Sequence, residues 1–212
     1  MQRLQRRLSL LLKAYLEAVL TQVMSVILVG GTPGTGKTVV AKILGSKLSV
    51  DVISLGDLAD KSGCISAEDK ARKTGIINED CLVEALLTLT EDKTKTLVLE
   101  GHYIDLVPNS SVQWVFILRT HPEKLRNRLT EREYDNNKVS ENVEAEVLGV
   151  CQLDALDAFG ETKVHEIDTS ELSAPQAAAL IARLMKESPD PERIDWLELL
   201  EKEGRVDDFL SD

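Results

Sequence analysis

The stretch Ser25 to Val40, SVILVGGTPGTGKTVV, decides the fold. It opens with an apolar, largely β-branched run (Val26-Ile27-Leu28-Val29), turns through glycines, and enters a helix led by Lys37-Thr38. Gly31 to Thr38 fits G-x-x-x-x-G-K-[ST], the phosphate-binding loop, in the strand–loop–helix setting that motif requires. Glycines let the backbone wrap a phosphate and bring its N–H groups close. The following helix aims its positive dipole end at the same anion. Lys37 supplies a cation for the β- and γ-phosphates, and the Thr38 hydroxyl is placed to ligate Mg²⁺. A nucleoside triphosphate site with Mg²⁺ follows from these residues.

Outward from this stretch, strands and helices alternate. Further strands are expected at Asp51–Leu55, Thr96–Leu99, Val112–Leu118 and Val164–Ile167. Helices are expected over Val39–Leu48, from Asn78-Glu79 to about Leu89, from His121-Pro122 onward, up to about Phe159, and over Ala174–Met185. That alternation predicts an α/β fold: a phosphate-loop NTPase core with a parallel five-stranded sheet flanked by helices, and ligands at the carboxyl ends of the strands. Residues 56–78 and 131–141 are polar and lack a core-facing period, so both read as covers able to close over the site.

The chain has 212 residues, enough for one well-buried domain, and a net charge of −11. That charge argues against a broad electrostatic grip on nucleic acid. Residues 1–23 stand apart, with Arg3, Arg6, Arg7 and Lys13 against Glu17 alone, and leucines at helical spacing. Lys13 and Glu17 interrupt the apolar run, so no membrane span is expected. A transit peptide, a docking helix and an extension upstream of a natural start at Met24 all fit; the last is favoured. The domain is therefore expected over 24–187, with 188–212 an acidic tail. Cys64, Cys81 and Cys151 show no C-x-x-C and no histidine cluster, which predicts a reduced, cytoplasmic setting with neither disulfide nor zinc.

Phosphoryl transfer asks for metal support, cations around the phosphates and exclusion of water. Glu100 ends the run Thr96-Leu97-Val98-Leu99-Glu100, an apolar strand closed by an acid, and is placed to hold a Mg²⁺ water; its plainer reading is a strand-end carboxylate. His102 is placed to orient water or phosphate, or is an ordinary loop histidine. Arg128 and Arg132 lie four apart and share a helix face, suited to adenine stacking and phosphate contact. Arg119 and Lys138 are weaker cation candidates.

The ordered set GTPGTGKT, Gly56-Asp57-Leu58-Ala59, Leu118-Arg119-Thr120, and Arg128-Leu129 to Arg132-x-Tyr134 followed by Lys138, Asn142 and Glu146 resembles the archaeal and nuclear type of adenylate kinase. That branch is also described as a ribosome-assembly ATPase, the coilin-interacting nuclear ATPase protein. The resemblance covers roughly residues 24–170. It implies a nucleoside-monophosphate-kinase-like fold with a monophosphate-binding region over 54–77 and a short lid over 131–141. Gly34, Thr35, Gly36, Lys37, Thr38, Val39 and Arg132 would then bind ATP. Lys37, Arg128, Arg132 and His102 would serve catalysis, Asp57 and Lys61 the acceptor, and Thr38 and Glu100 the metal. The implied reaction is ATP + AMP = 2 ADP with some ATP hydrolysis, and the implied partner is a small-subunit platform ribosomal protein. Two departures stand out. Asp60 occupies a position often basic in the family, with Lys61, Arg72 or Lys73 as substitutes, and Glu100 stands where many relatives have Asp. A nucleotide-switched assembly factor and another small-molecule kinase remain the alternatives.

Overall fold

A computed structural model describes residues 26–69, 74–91 and 95–210. The basic stretch 1–23, Met24, Arg72 and Lys73 lie outside the described residues. Five parallel strands form the main sheet: β1 (Val26–Gly30), β2 (Asp51–Ser54), β5 (Leu97–Glu100), β6 (Val112–Arg119) and β7 (Val164–Asp168), in the spatial order β2-β5-β1-β6-β7. The expected five-stranded parallel sheet is therefore present. Every residue of β1 and β5 is buried, which is why both read as unbroken apolar runs.

Side chains of successive strand residues point to opposite faces and seed two cores. Val26, Leu28, Leu99 and Ile117 pack with Leu82 and Leu86 of α3 (Glu79–Leu89) and Phe159 of α6 (Val150–Phe159). Ile27, Val29, Val98 and Phe116 pack with Val40 and Leu44 of α1 (Lys37–Leu48) and Ala178 and Ile181 of α7 (Ala174–Glu187). From β1 the chain runs outward to β2 and back to β5, then crosses β1 to reach β6. The order thus reverses beside β1, and the crevice at its carboxyl end is where an open α/β sheet holds its ligand.

Three expectations are corrected. Residues 56–78 are not structureless: α2 (Leu55–Lys61) is followed by an antiparallel hairpin of β3 (Ile65–Asp69) and β4 (Thr74–Ile77). The Ser54 hydroxyl caps α2, and Leu55 and Ala59 are buried beneath it. Secondly, residues 131–141, polar as expected with Val139 alone buried, lead into a longer core-facing helix. The segment enters α5 (Asn136–Val147), capped by Asp135, in which Val139, Val143 and Val147 recur every fourth residue and are buried. Leu148-Gly149 separates α5 from α6, so the expected single helix to Phe159 is two. Thirdly, residues after 187 are no loose tail. They form α8 (Trp196–Glu203), capped by Asp195, and Leu200 and Phe209 complete a third core with Leu125 and Leu129 of α4 (Pro122–Glu131) and the valines of α5. The acidic residues mask an apolar stripe that matches a vacant helix face. No helix among the described residues is long and apolar enough to cross a membrane.

Cys64 and Cys81 are joined by a disulfide, against the expectation of none. The 17-residue separation hid the pairing, because folding the β3–β4 hairpin brings the end of α2 to the first turn of α3. Asn78 N–H donates to the Cys64 carbonyl at 2.7 Å, closing the same junction.

Two stability predictions follow from this packing. Leu200→Ala is expected to cost about 2–5 kcal/mol in urea unfolding; a loss within about 0.5 kcal/mol, as at a surface site, would contradict the third core. Closing a loop of this length is expected to contribute about 3 kcal/mol. The urea midpoint should therefore drop in reductant for the wild type and stay unchanged in the Cys64→Ser/Cys81→Ser double variant.

Candidate active site

The loop 31–36 carries the chain from β1 into α1 across the carboxyl end of β6. Gly31 has φ 133°, and a Cβ there would stand 2.4 Å from the Leu118 carbonyl oxygen. Gly34 has φ 95°, and a Cβ there would meet Leu125 Cδ1 at 2.7 Å. Only a glycine backbone follows this path. The Thr32 carbonyl is the hinge of the loop: it accepts from Thr35 Oγ1 at 2.9 Å and from Lys37 Nζ at 3.1 Å.

Helices α2, α3, α5 and α8 are capped by the side chains of Ser54, Asn78, Asp135 and Asp195. In contrast, α1 starts at Gly36 with no side-chain cap and no acid in its first turn. Its leading N–H groups are left to an anion. Lys37 is 8% exposed, and burial draws its pKa below the usual lysine value. Cys151, Glu100 and Glu146 pull that value back up, and Arg132 adds to the lowering. Incoming phosphates would add the negative charge this buried ammonium lacks.

Parallel pairing of β1 with β5 sets Val29 opposite Glu100. The Glu100 carboxylate, 5% exposed, thereby receives the Thr38 hydroxyl at 3.2 Å on each oxygen. Two hard oxygen donors side by side suit Mg²⁺, which takes one or two protein ligands and completes its shell with water and substrate phosphate. Among the described residues there is no cluster of three or more His, Cys, Asp or Glu to make a denser metal cage. Thr38 and Glu100 fit the Mg²⁺ role.

His102 keeps solvent contact at the mouth of the site. Crowding by the protein and, second, the Lys37 cation push it down to about 4, so its ring is neutral at pH 7. Cys151, in the first turn of α6, lies within hydrogen-bonding reach of Thr32. Burial pushes its thiol up, and the Lys37 cation only partly opposes this.

Arg128 and Arg132 are brought together against the loop. With Gly34, Thr35, Gly36 and Val39 they line a cavity of about 220 Å³ whose floor includes Leu172 and Ala177. Arg128 Nη2 donates to the Thr169 carbonyl at 2.7 Å and Nη1 to Thr120 Oγ1 at 3.2 Å, so its plane is fixed. Arg132 closes α4 and stays exposed. Arg126 turns away, stacking 4.4 Å over the Phe209 ring. On the acceptor side, Ser54 pairs with Glu100 in the sheet, which starts α2 beside the metal-binding acid. Asp57, Asp60 and Lys61 all stand exposed on α2.

Of the two weaker candidates, one is corrected. Arg119 is no phosphate contact: it is 1% exposed, donating from Nε to Glu146 Oε1 at 2.9 Å and from Nη1 to Glu166 Oε2 at 3.1 Å. Lys138 lies 5.1 Å over the Tyr134 ring. The residue missed is Thr169; Thr32 and Glu146 stand in the motif strings, which do not show their roles as contacts of the loop. Nothing local in the sequence marks these roles, since each acts through a contact with a distant segment. Thr169, for example, donates to the Thr35 carbonyl at 3.2 Å across a separation of 134 residues.

Fold and site together define a phosphate-loop nucleotide kinase. A family model described as AAA domain matches residues 27–149. A Methanothermobacter thermautotrophicus protein named "Putative adenylate kinase" is 40% identical over 162 residues, covering 76% of this chain and 90% of its own length. A Methanocaldococcus jannaschii protein of the same name is 31% identical over 173 residues, covering 81% and 93%. The chain belongs to this adenylate-kinase-like family. Among solved structures, shikimate kinase from Acinetobacter baumannii, in complex with shikimate, aligns with a TM-score of 0.57 at 18% identity, over 78% of this chain and 94% of that one. Shikimate kinase from Bacteroides thetaiotaomicron aligns at 0.53 and 14%, over 77% and 99%. At such identities these two speak for the fold alone.

A histidine whose folded pKa is depressed loses native-state stability as pH falls from its unfolded value, near 6.5, toward its folded value. His102 should accordingly titrate in NMR with a midpoint well below 6.5, at about 4, and Lys37→Met should raise its pKa by removing one of the two causes. An unmoved His102 resonance in that variant would contradict the proximity of the two groups.

Proposed function

We propose that the protein transfers the γ-phosphoryl group of MgATP to AMP, ATP + AMP = 2 ADP, with slow ATP hydrolysis when no acceptor is bound. One observation carries the donor half of this reading: an uncapped α1, a buried Lys37 and the Thr38–Glu100 oxygen pair meet at the crevice where the strand order reverses. The family membership supports adenylate kinase chemistry over other uses of that donor site.

The residues divide the work by charge. N–H groups of Gly34, Thr35, Gly36, Lys37, Thr38 and Val39 cradle the phosphates, and Lys37 stabilises charge developing on the transferred group. Thr38 and Glu100 would hold Mg²⁺, which would supply positive charge against the phosphates. Arg128, held flat by Thr120 and Thr169, stacks on the adenine, and the free Arg132 reaches the phosphates as the arm from α4 to α5 closes. Neutral His102 is placed to accept a hydrogen bond from a water or acceptor hydroxyl. Asp57 and Lys61 receive the acceptor nucleotide on α2. A cytoplasmic location belongs to the same proposal, although the Cys64–Cys81 disulfide removes the argument for it from unpaired thiols.

A second reading is a nucleotide-switched assembly factor that docks on a small-subunit platform ribosomal protein. Its support is the exposure of Asp57, Asp60 and Lys61, which leaves the acceptor half an open surface, together with a net charge of −11 complementary to a basic partner.

A coupled assay with AMP, CMP, GMP and shikimate separates these readings. AMP is expected to be the preferred acceptor; persistent ATP hydrolysis with no acceptor phosphorylated would favour the switch. Lys37→Ala should lower kcat by about 10²-fold or more, and near-normal turnover would refute the site. Arg132→Ala should impair ATP use more than Arg126→Ala, and equal effects would dismiss the lid role.

A further inference from the structure

Glu146 sits in the last turn of α5, a poor place for an acid, since the carboxyl end of a helix dipole repels negative charge. Its carboxylate is 1% exposed and engaged by donors from three separate segments. Oε2 accepts from Thr32 Oγ1 at 2.5 Å. Oε1 accepts from Arg119 Nε at 2.9 Å, Thr120 N–H at 2.9 Å and Trp196 Nε1 at 3.1 Å. One residue therefore ties the phosphate loop, the exit of β6 and the C-terminal helix to α5.

We propose that Glu146 is the positioning residue of the phosphate loop and that α8 tunes its hold through the Trp196 indole. The inference rests on the ATP-binding reading of the loop and adds a control from outside it. The chain of contact is short. Trp196 fixes one carboxylate oxygen, the other oxygen fixes the Thr32 hydroxyl, and the Thr32 carbonyl holds Lys37 Nζ and Thr35 Oγ1. Shifting Glu146 shifts the carbonyl against which Lys37 rests before phosphate arrives. The Trp196 ring is itself held edge-on to His121, with centroids 5.5 Å apart, and His121 caps α4, the helix that carries Arg128 and leads into Arg132. The indole thus sits between the two halves of the ATP site, the loop and the arginine wall.

Arg119 balances the buried charge without competing for the loop. Its guanidinium spreads over Glu146, Glu166 and the Ile194 carbonyl, and Gln152 Oε1 accepts from the same nitrogen as Glu166. Glu146 is left with Oε2 committed to Thr32. The segment after residue 187 supplies the Ile194 carbonyl and the Trp196 donor, so it takes part in the phosphate site two side chains away from it.

Trp196→Phe removes the donor and keeps an aromatic ring; Glu146→Gln keeps the shape and removes the charge. Calorimetry of MgATP binding and steady-state kinetics for both substrates provide the test, on the full chain. Trp196→Phe is expected to weaken MgATP binding about three- to tenfold, with the KM for AMP unchanged. Glu146→Gln is expected to lower kcat/KM for ATP by about 10²-fold, the scale of a misplaced loop. In a Trp114→Phe background, Trp196 emission is expected to shift on MgATP addition. If Glu146→Gln does not fold, Trp196→Phe and the emission still decide. Equal losses toward both substrates that track a lowered Tm would reduce Glu146 and Trp196 to structural parts and overturn the proposal. So would a Trp196→Phe variant that binds MgATP as the wild type does. A wild type that binds no MgATP at all would sink the nucleotide reading and this inference with it.

Discussion

A phosphate site asks a protein to do what folding otherwise avoids: leave backbone donors unpaired inside the structure. The start of α1 meets that demand. Its N-cap is a glycine without a side chain to fold back, and no acid stands in its first turn, whereas α2, α3, α5 and α8 each close their amino ends with an oxygen. The cost is tolerable because the loop is pinned elsewhere. The Thr32 carbonyl collects Thr35 and Lys37, Thr169 holds the Thr35 carbonyl, and Leu118 presses on Gly31. An anion completes the site, and these contacts hold the loop in the geometry that receives it.

How far this could be read beforehand depends on the range of each interaction. The phosphate loop, the five strands and the acid at the end of β5 are local patterns, and parallel strands buried on both faces announce themselves as apolar runs. Arg128 and Arg132 were legible because helical spacing sets them on one face. The disulfide, the packing of α8 and the role of Arg119 were not. Cys64 and Cys81 meet only after a hairpin folds between them, and Leu200 finds its partners on α4 and α5. Arg119 was a candidate by its place at a strand exit, at the ligand edge of the sheet, yet α6 and the segment after residue 187 close over it. The polar composition of 131–141 holds a single buried residue, Val139, and the stripe it starts becomes visible only with Val143 and Val147 beyond it, facing the core that α8 completes.

The two halves of the site are built to different standards. Donor-side groups are buried and mutually fixed: Lys37 on a carbonyl, Thr38 on Glu100, Arg128 between Thr120 and Thr169. Acceptor-side groups on α2 are exposed, and a disulfide and a backbone hydrogen bond join the base of the hairpin beyond them. A rigid donor site with a hinged acceptor arm suits an enzyme that must hold one phosphate chain still while admitting and shutting in a second nucleotide.

The buried charges beneath the loop then find a physical reason. Glu146, Arg119 and Glu166 are costly to desolvate, and apolar side chains of similar volume would serve stability as well or better. What apolar packing cannot supply is direction. Glu146 has donors on the loop, on β6 and on α8, and each fixes the carboxylate along a different axis, whereas a leucine there would let the three segments slide by fractions of an ångström. Phosphoryl transfer penalises such slack heavily, because its catalysis is nearly all placement of charge. The ion cluster therefore serves the accuracy of the phosphate loop, and the C-terminal helix, seated by the third core, presents one of its donors to complete that cluster.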